Sequence, residues 1–167
     1  MAVFFDIRKD TGKLFSGLCI EKNKELCEKW QNNWPVLFLS LKEVDDKTFE
    51  QAEKKLAVNI SDLYKEHTYL LESDKVDPAD VELFNKIRYQ KADSVDIQNA
   101  LYILMRMMQA CFGKQVIVFI DEYDVPLAKA NEGGYYDDML NLIRGLLGKT
   151  LKTNPFLKFA VITGCLR

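Results

Sequence analysis

No two cysteines of this chain form a C-x-x-C pair: Cys19, Cys27, Cys111 and Cys165 are scattered over 167 residues. That spacing gives no support to a zinc-finger or dithiol-redox reading. Charge of one sign is scarce too. Lys and Arg number 23 against 25 Asp and Glu, a net charge of −2. The balance provides no overall attraction to nucleic acid or to anionic membranes, though it leaves room for a local basic patch. The opening MAVFFDIRKD has neither the basic start nor the long apolar run of a secretory leader. Nowhere does an apolar run approach the roughly 20 residues that span a bilayer. Scattered thiols without a leader pattern suit a reducing compartment, so a cytoplasmic location is expected. Histidine occurs once, at position 67, with no partner at metal or triad spacing.

What is present reads as one α/β domain. The hydrophobic fraction of 48% and charged fraction of 29% are those of an ordinary globular chain. Three short apolar runs have the length and continuity of strands buried on both faces: VLFLSL (36–41), VIVFI (116–120) and FAVIT (159–163). Between them lie helical periodicities. Phe49, Ala52, Leu56, Ile60, Leu63, His67 and Leu70 recur at steps of three or four, behind a Thr48/Gln51 capping box. A short helix opens at Asp77-Pro78. A third follows a Ser94 cap and presents Ile97, Leu101, Leu104, Met105, Met108 and Phe112 before Gly113. NEGG (131–134) and TNP (153–155) read as turns, with a helix between them. Ala2 to Ile7 reads as the tail of a helix, and a polar helix is expected over 22–32. Buried strands alternating with helices imply a mostly parallel sheet covered by helices.

The stretch VIVFIDEYDVPL raises the functional question: an apolar run ends in Asp121, Glu122 and Asp124. In open parallel sheets ligands collect at the carboxyl ends of strands. An acid fixed there suits magnesium, which takes oxygen ligands and keeps most of its waters. A second acid beside it can orient or deprotonate an attacking water. An apolar strand followed by Asp-Glu is a Walker B pattern, the signature of a nucleoside triphosphatase. The competing structural reading is a core strand that exits into a solvated acidic turn. Asp124, ahead of Val125-Pro126, reads as a turn residue. Alternation along the strand sends Asp121 and Glu122 to different sides unless the chain turns there.

A Walker B strand calls for a phosphate loop of the form G-x-x-x-x-G-K-[ST] between a strand and a helix. The one Gly-Lys-Thr, at 148–150, does not qualify. The first glycine of the pattern falls on Ile143, and the segment lies at the end of an amphipathic helix. Gly148 is expected to stop that helix, with Lys149 at its negative end.

Taken with NEGGYYDDMLNLIRGLLGKTLKTNPFLKFAVITGCLR, FFDIRKDTGKLFSGLCI, WPVLFLSLKEV and LYKEHTYLLESDK, the acidic stretch resembles the AAA-ATPase-like family of bacterial and archaeal proteins. The likeness covers nearly the whole chain. It implies an α/β, three-layer P-loop NTPase-like fold with a mostly parallel sheet. In that family a P-loop ATPase domain is commonly followed by a PD-(D/E)XK nuclease-like domain. The phosphate loop would lie upstream of Met1, so residues 1–167 are expected to be part of the ATPase domain. By the resemblance, Asp121 is the magnesium acid and touches the nucleotide's cation, and Glu122 is the catalytic acid of the same ATP site. Thr163 is a polar sensor on the neighbouring strand, and Arg167 senses phosphate charge. ATP and Mg²⁺ are the implied cofactors. Nucleic acid would be met only by a nuclease-like domain outside this chain.

The same likeness expects the three strands side by side, with the 159–163 strand lacking one neighbour. A bare edge invites pairing with another chain, so self-association is expected. Two other classes stay open: a non-catalytic interaction module that keeps the fold, and a metal-dependent nuclease using the acids. His67 reads as a core or boundary histidine, the Met105, Met107 and Met108 group as core filler, and Tyr135-Tyr136 as helix-start packing.

Overall fold

The computed structural model describes residues 1–165. Three parallel strands form its sheet, β1 (Val36–Ser40), β2 (Val116–Asp121) and β3 (Leu157–Ile162), in the order β1-β2-β3. Each junction pairs in register: Val36 lies opposite Ile117 and Ser40 opposite Asp121, while Ile120 lies opposite Ile162. A register shift interrupts the second junction between Val116 and Ile117. Central β2 is buried from Val116 to Ile120, as an unbroken apolar strand covered on both faces must be. Among the described residues β3 pairs on one side only, and Ile162 is 42% exposed.

The two faces of the sheet are covered unequally. One face, carrying Leu37, Leu39, Val118 and Ile120, packs under α3 (Phe49–Lys65), α4 (Pro78–Arg88), α5 (Ser94–Phe112), α6 (Val125–Gly133) and α7 (Tyr136–Leu151). The other face, with Val36, Ile117 and Phe119 buried, is covered by α1 (Ala2–Phe5) and α2 (Lys24–Trp30) through Ala2, Phe5 and Trp30, and by Trp34 in the segment ahead of β1. The architecture is therefore three layers, one of them thin, as the expected α/β P-loop-like fold requires. Phe38, on the thin side, is 49% exposed.

Local chemistry explains most helix boundaries and corrects several expectations. Thr48 caps α3, its hydroxyl accepting from the Gln51 amide at 3.4 Å. That helix ends at Lys65, and His67 and Leu70 belong to a separate 3-10 turn over Thr68–Glu72 and its cap. Asp93, rather than Ser94, caps α5, in a reciprocal box with Asp96. Gly113 ends that helix at φ 68°, a left-handed turn that glycine takes without penalty. The expected NEGG turn is wrong: α6 runs through Gly133, and only Gly134 breaks it. Gly148 does not stop α7, which continues to Leu151. The opening helix stops at Phe5, and Asp6 instead pairs with Trp34 in an isolated parallel bridge. Buried Asp80 accepts a two-point contact from Arg106, one arm at 2.8 Å, joining α4 to α5.

His67 is 2% exposed, and its Nδ1 lies 2.8 Å from the Leu63 carbonyl. Burial holds its pKa down to about 4, so it sits neutral in the core. The structural reading of this residue stands.

Candidate functional site

The carboxyl end of β2 is held from both sides by the backbone. The Leu41 amide donates to the Asp121 carbonyl at 2.9 Å, the Thr163 amide to Ile120 at 2.9 Å, and the Tyr123 amide to Thr163 at 3.2 Å. These bonds carry the sheet pattern one residue past the named strand ends. Ser40, Asp121 and Thr163 consequently form one row across the three strands.

Within that row the Thr163 hydroxyl donates to Asp121 Oδ1. A hydroxyl and a carboxylate separated by 42 positions are thus brought into direct contact by parallel pairing. The other oxygen, Oδ2, carries no hydrogen bond among the described residues. Thr163 itself is exposed, and Asp121 is partly buried.

Glu122 answers the question of direction. Its backbone lies at φ 55°, in the left-handed region, so the chain turns immediately after the strand. The turn breaks the alternation that would have sent Asp121 and Glu122 to opposite faces. The Val125 amide closes it on the Glu122 carbonyl at 3.2 Å. No hydrogen bond or ion pair engages the Glu122 carboxylate among the described residues. A non-glycine residue in this conformation costs about 1–2 kcal/mol, and such strain clusters at functional turns.

Asp124 is more than the turn residue read from the sequence. It occupies the cap position of α6, yet its side chain bonds no helix amide. Its Oδ1 is buried without a hydrogen-bond partner among the described residues. Gly164 fits against it closely: a Cβ there would lie 2.6 Å from Asp124 Oδ1 and 2.9 Å from the Tyr123 ring. The turn after β2 and the turn after β3 are therefore mutually fitted. Only contact between residues distant in sequence reveals this, and nothing in the local pattern around Gly164 signals it.

Asp121 and Thr163 are brought into contact, Glu122 follows Asp121 in the turn, and Arg167 lies outside the described residues. No group of three or more His, Cys, Asp or Glu side chains forms a metal cage among the described residues. The free oxygen of Asp121 and the unpaired Glu122 fit a magnesium ion that keeps its waters and draws its other ligands from a nucleotide. A cavity of about 800 Å³ lies beside β1, where Phe38, Ser40, Lys42, Val58 and Asn59 are among its lining residues. It shares Ser40 with the row and is also lined by Glu43 and Asp45, but Asp121, Glu122 and Asp124 do not line it, so the row at the end of β2 is the candidate site. Gly148-Lys149-Thr150 is helical: buried Thr150 donates to the Leu146 carbonyl at 2.6 Å and Lys149 reaches Asn99. It takes no part in the acidic row.

A family model described as predicted AAA-ATPase, AAA-ATPase-like, matches residues 1–167. Neither curated proteins nor solved structures gave a match. No helix among the described residues is long and apolar enough to cross a membrane.

Proposed function

The chain belongs to the AAA-ATPase-like family, and from that premise we propose that it supplies the magnesium-binding and water-activating acids of an ATP-hydrolysing site. The contact of the Thr163 hydroxyl with Asp121, at the carboxyl end of the central strand, carries this reading. Asp121 holds the cation through its remaining oxygen and bound water. Magnesium, when bound with ATP, neutralises charge on the phosphates. Glu122, thrown out of the strand by its left-handed turn, accepts a proton from the attacking water. Thr163 fixes the orientation of the Asp121 carboxylate and stands where a phosphate oxygen can be sensed. Arg167 keeps its phosphate-sensing role on the family resemblance alone.

The phosphates themselves need backbone amides and a lysine from a glycine-rich loop. Residues 1–167 offer none in that pattern, so this chain by itself is expected to turn over ATP negligibly. The scattered thiols support a cytoplasmic setting for the reaction. The open edge of β3 keeps self-association within the proposal.

The test uses the full gene product that contains this chain. Glu122→Gln should retain ATP binding while lowering turnover by about 10²–10⁴, the usual weight of a general base. Asp121→Asn should abolish magnesium-dependent turnover. A Glu122→Gln protein that hydrolyses ATP within threefold of the parent would remove Glu122 from the chemistry. Rapid hydrolysis by residues 1–167 alone would overturn the division of labour.

A further inference from the structure

The end of the sheet opposite the acids has a different chemistry. The chain's two tryptophans, Trp30 and Trp34, lie there with ring centroids 5.3 Å apart. Three lysines surround them. Lys158 Nζ lies 4.6 Å from the Trp34 ring centre and 5.9 Å from that of Trp30. Lys114 lies 5.8 Å from Trp34, and Lys29 lies 5.7 Å from Trp30. None of the three lysines forms an ion pair with a carboxylate among the described residues, not even Lys29 with its sequence neighbour Glu28.

Parallel pairing is what gathers them. Every strand of this sheet starts at the same end, so Trp34 ahead of β1, Lys114 ahead of β2 and Lys158 at the second position of β3 become neighbours. The segments leading into the strands, residues 31–35, 113–115 and 152–156, contain no Asp or Glu, and Lys152 adds a further positive charge. At the carboxyl end of β2 stand Asp121, Glu122 and Asp124, while Asp45 and Asp46 beyond β1 pair with Lys55 at 3.2 Å and 3.3 Å.

We propose that the Trp30–Trp34 surface with Lys29, Lys114 and Lys158 binds single-stranded nucleic acid. Packing accounts for the inner sides of the indoles, since Phe5 and Phe159 lie 6.0 Å and 5.9 Å from Trp30. It does not account for three cations without carboxylates at one place, where Lys114 donates to the Asn33 carbonyl at 2.9 Å and no hydrogen bond engages the Lys29 or Lys158 ammonium among the described residues. Lysines without carboxylate partners beside aromatic rings are the combination that single strands need: cations for phosphates and ring faces for bases. Lys158 covers Trp34 through an exposed cation–π contact, worth about 0.5–1 kcal/mol. A base stacked in its place gains about 1–3 kcal/mol while the flexible lysine moves to a phosphate. The exchange favours the ligand. Duplex DNA would offer the phosphates without free base faces, and an acidic peptide the charge without either.

Both tryptophans lie in the patch, so tryptophan fluorescence, excited at the red edge where the tyrosines do not absorb, reports on it alone. Titration with an oligo(dT) of about 12 nucleotides should quench that fluorescence, with a dissociation constant on the order of 10 µM at low salt. Three lysines on a single strand predict a slope of log K against log salt near −2, from about −0.7 per phosphate neutralised. Lys114→Glu with Lys158→Glu should weaken binding at least tenfold and reduce the slope by about 1.4. Lys75→Glu, remote from the patch in sequence, should change nothing. Circular dichroism checks the fold of the double variant, and Lys158→Gln replaces it if that protein is unfolded, with a slope reduced by about 0.7. Absence of quenching, equal weakening by Lys75→Glu, or equally tight quenching by polyglutamate would each overturn the assignment.

Discussion

Asn32, at the amino end of the sheet, and Glu122, at its carboxyl end, take nearly the same backbone angle, φ 53° and 55°. Their circumstances differ. Asparagine tolerates the left-handed region, and here its side chain is fully used. Asn32 Oδ1 accepts from the Thr11 amide at 3.0 Å and its hydroxyl at 2.8 Å, and Nδ2 donates to the Asp6 carbonyl at 3.0 Å. The strained residue at the amino end is the knot that ties residues 3–11 to the start of β1. Glutamate is poorly suited to the same angle, and Glu122 receives no side-chain bond in return among the described residues. One end uses an unusual conformation to hold the fold. The other tolerates it at a turn whose proposed task is chemical.

The sharpest test of that contrast is to remove the knot. Asn32→Ala deletes four side-chain hydrogen bonds and leaves a Cβ residue in a left-handed turn. Unfolding free energy should fall by about 3 kcal/mol, read from the urea midpoint at unchanged slope. A loss below about 1 kcal/mol would mean that the amino end is held by its aromatic packing and not by this network.

Gly164→Ala probes the fit at the carboxyl end. The new methyl must displace either the Asp124 carboxylate or the Tyr123 ring, at an expected cost of about 2 kcal/mol. The same shift should part Thr163 from Asp121, visible as a changed Thr163 amide resonance. Gly148→Ala is the matched control, because a Cβ inside α7 meets nothing within 4 Å. It should raise stability by about 0.5–1 kcal/mol. If both alanines behaved alike, the two turns would not be mutually fitted.

The same contrast shows how far the sequence is legible. The strands declare themselves because residues such as Val116–Ile120 are buried on both faces and leave an unbroken apolar run. Asp121 and Glu122 are legible for a related reason: a rigid strand fixes the first polar residues beyond it. Helix α6 was hidden, since Asn131-Glu132-Gly133-Gly134 has the composition of a turn. Burial of Pro126 and Ala130 against the core holds the helix that propensity disfavours. The end of α3 was hidden as well, because the spacing of Leu63, His67 and Leu70 stays helical while the backbone tightens into a 3-10 turn. Nothing local marks the left-handed angle of Glu122 or the closeness of Gly164 to Asp124. The first is set by the pairing that surrounds the turn, the second by a contact between two strands.

Relief of strain gives the smallest expected effect and the most direct comparison. Glycine adopts φ 55° freely, so Glu122→Gly removes the left-handed penalty of about 1–2 kcal/mol, offset in part by the greater freedom of glycine in the unfolded chain. A net gain of about 0.5–1 kcal/mol should appear as a higher urea midpoint for residues 1–167. Asn32→Gly, tested beside it, should lose stability, because there the angle is already tolerated and only the side-chain bonds are removed. If Glu122→Gly instead destabilises by 1 kcal/mol or more, the glutamate side chain stabilises the turn itself, and its placement at the end of β2 would be structural.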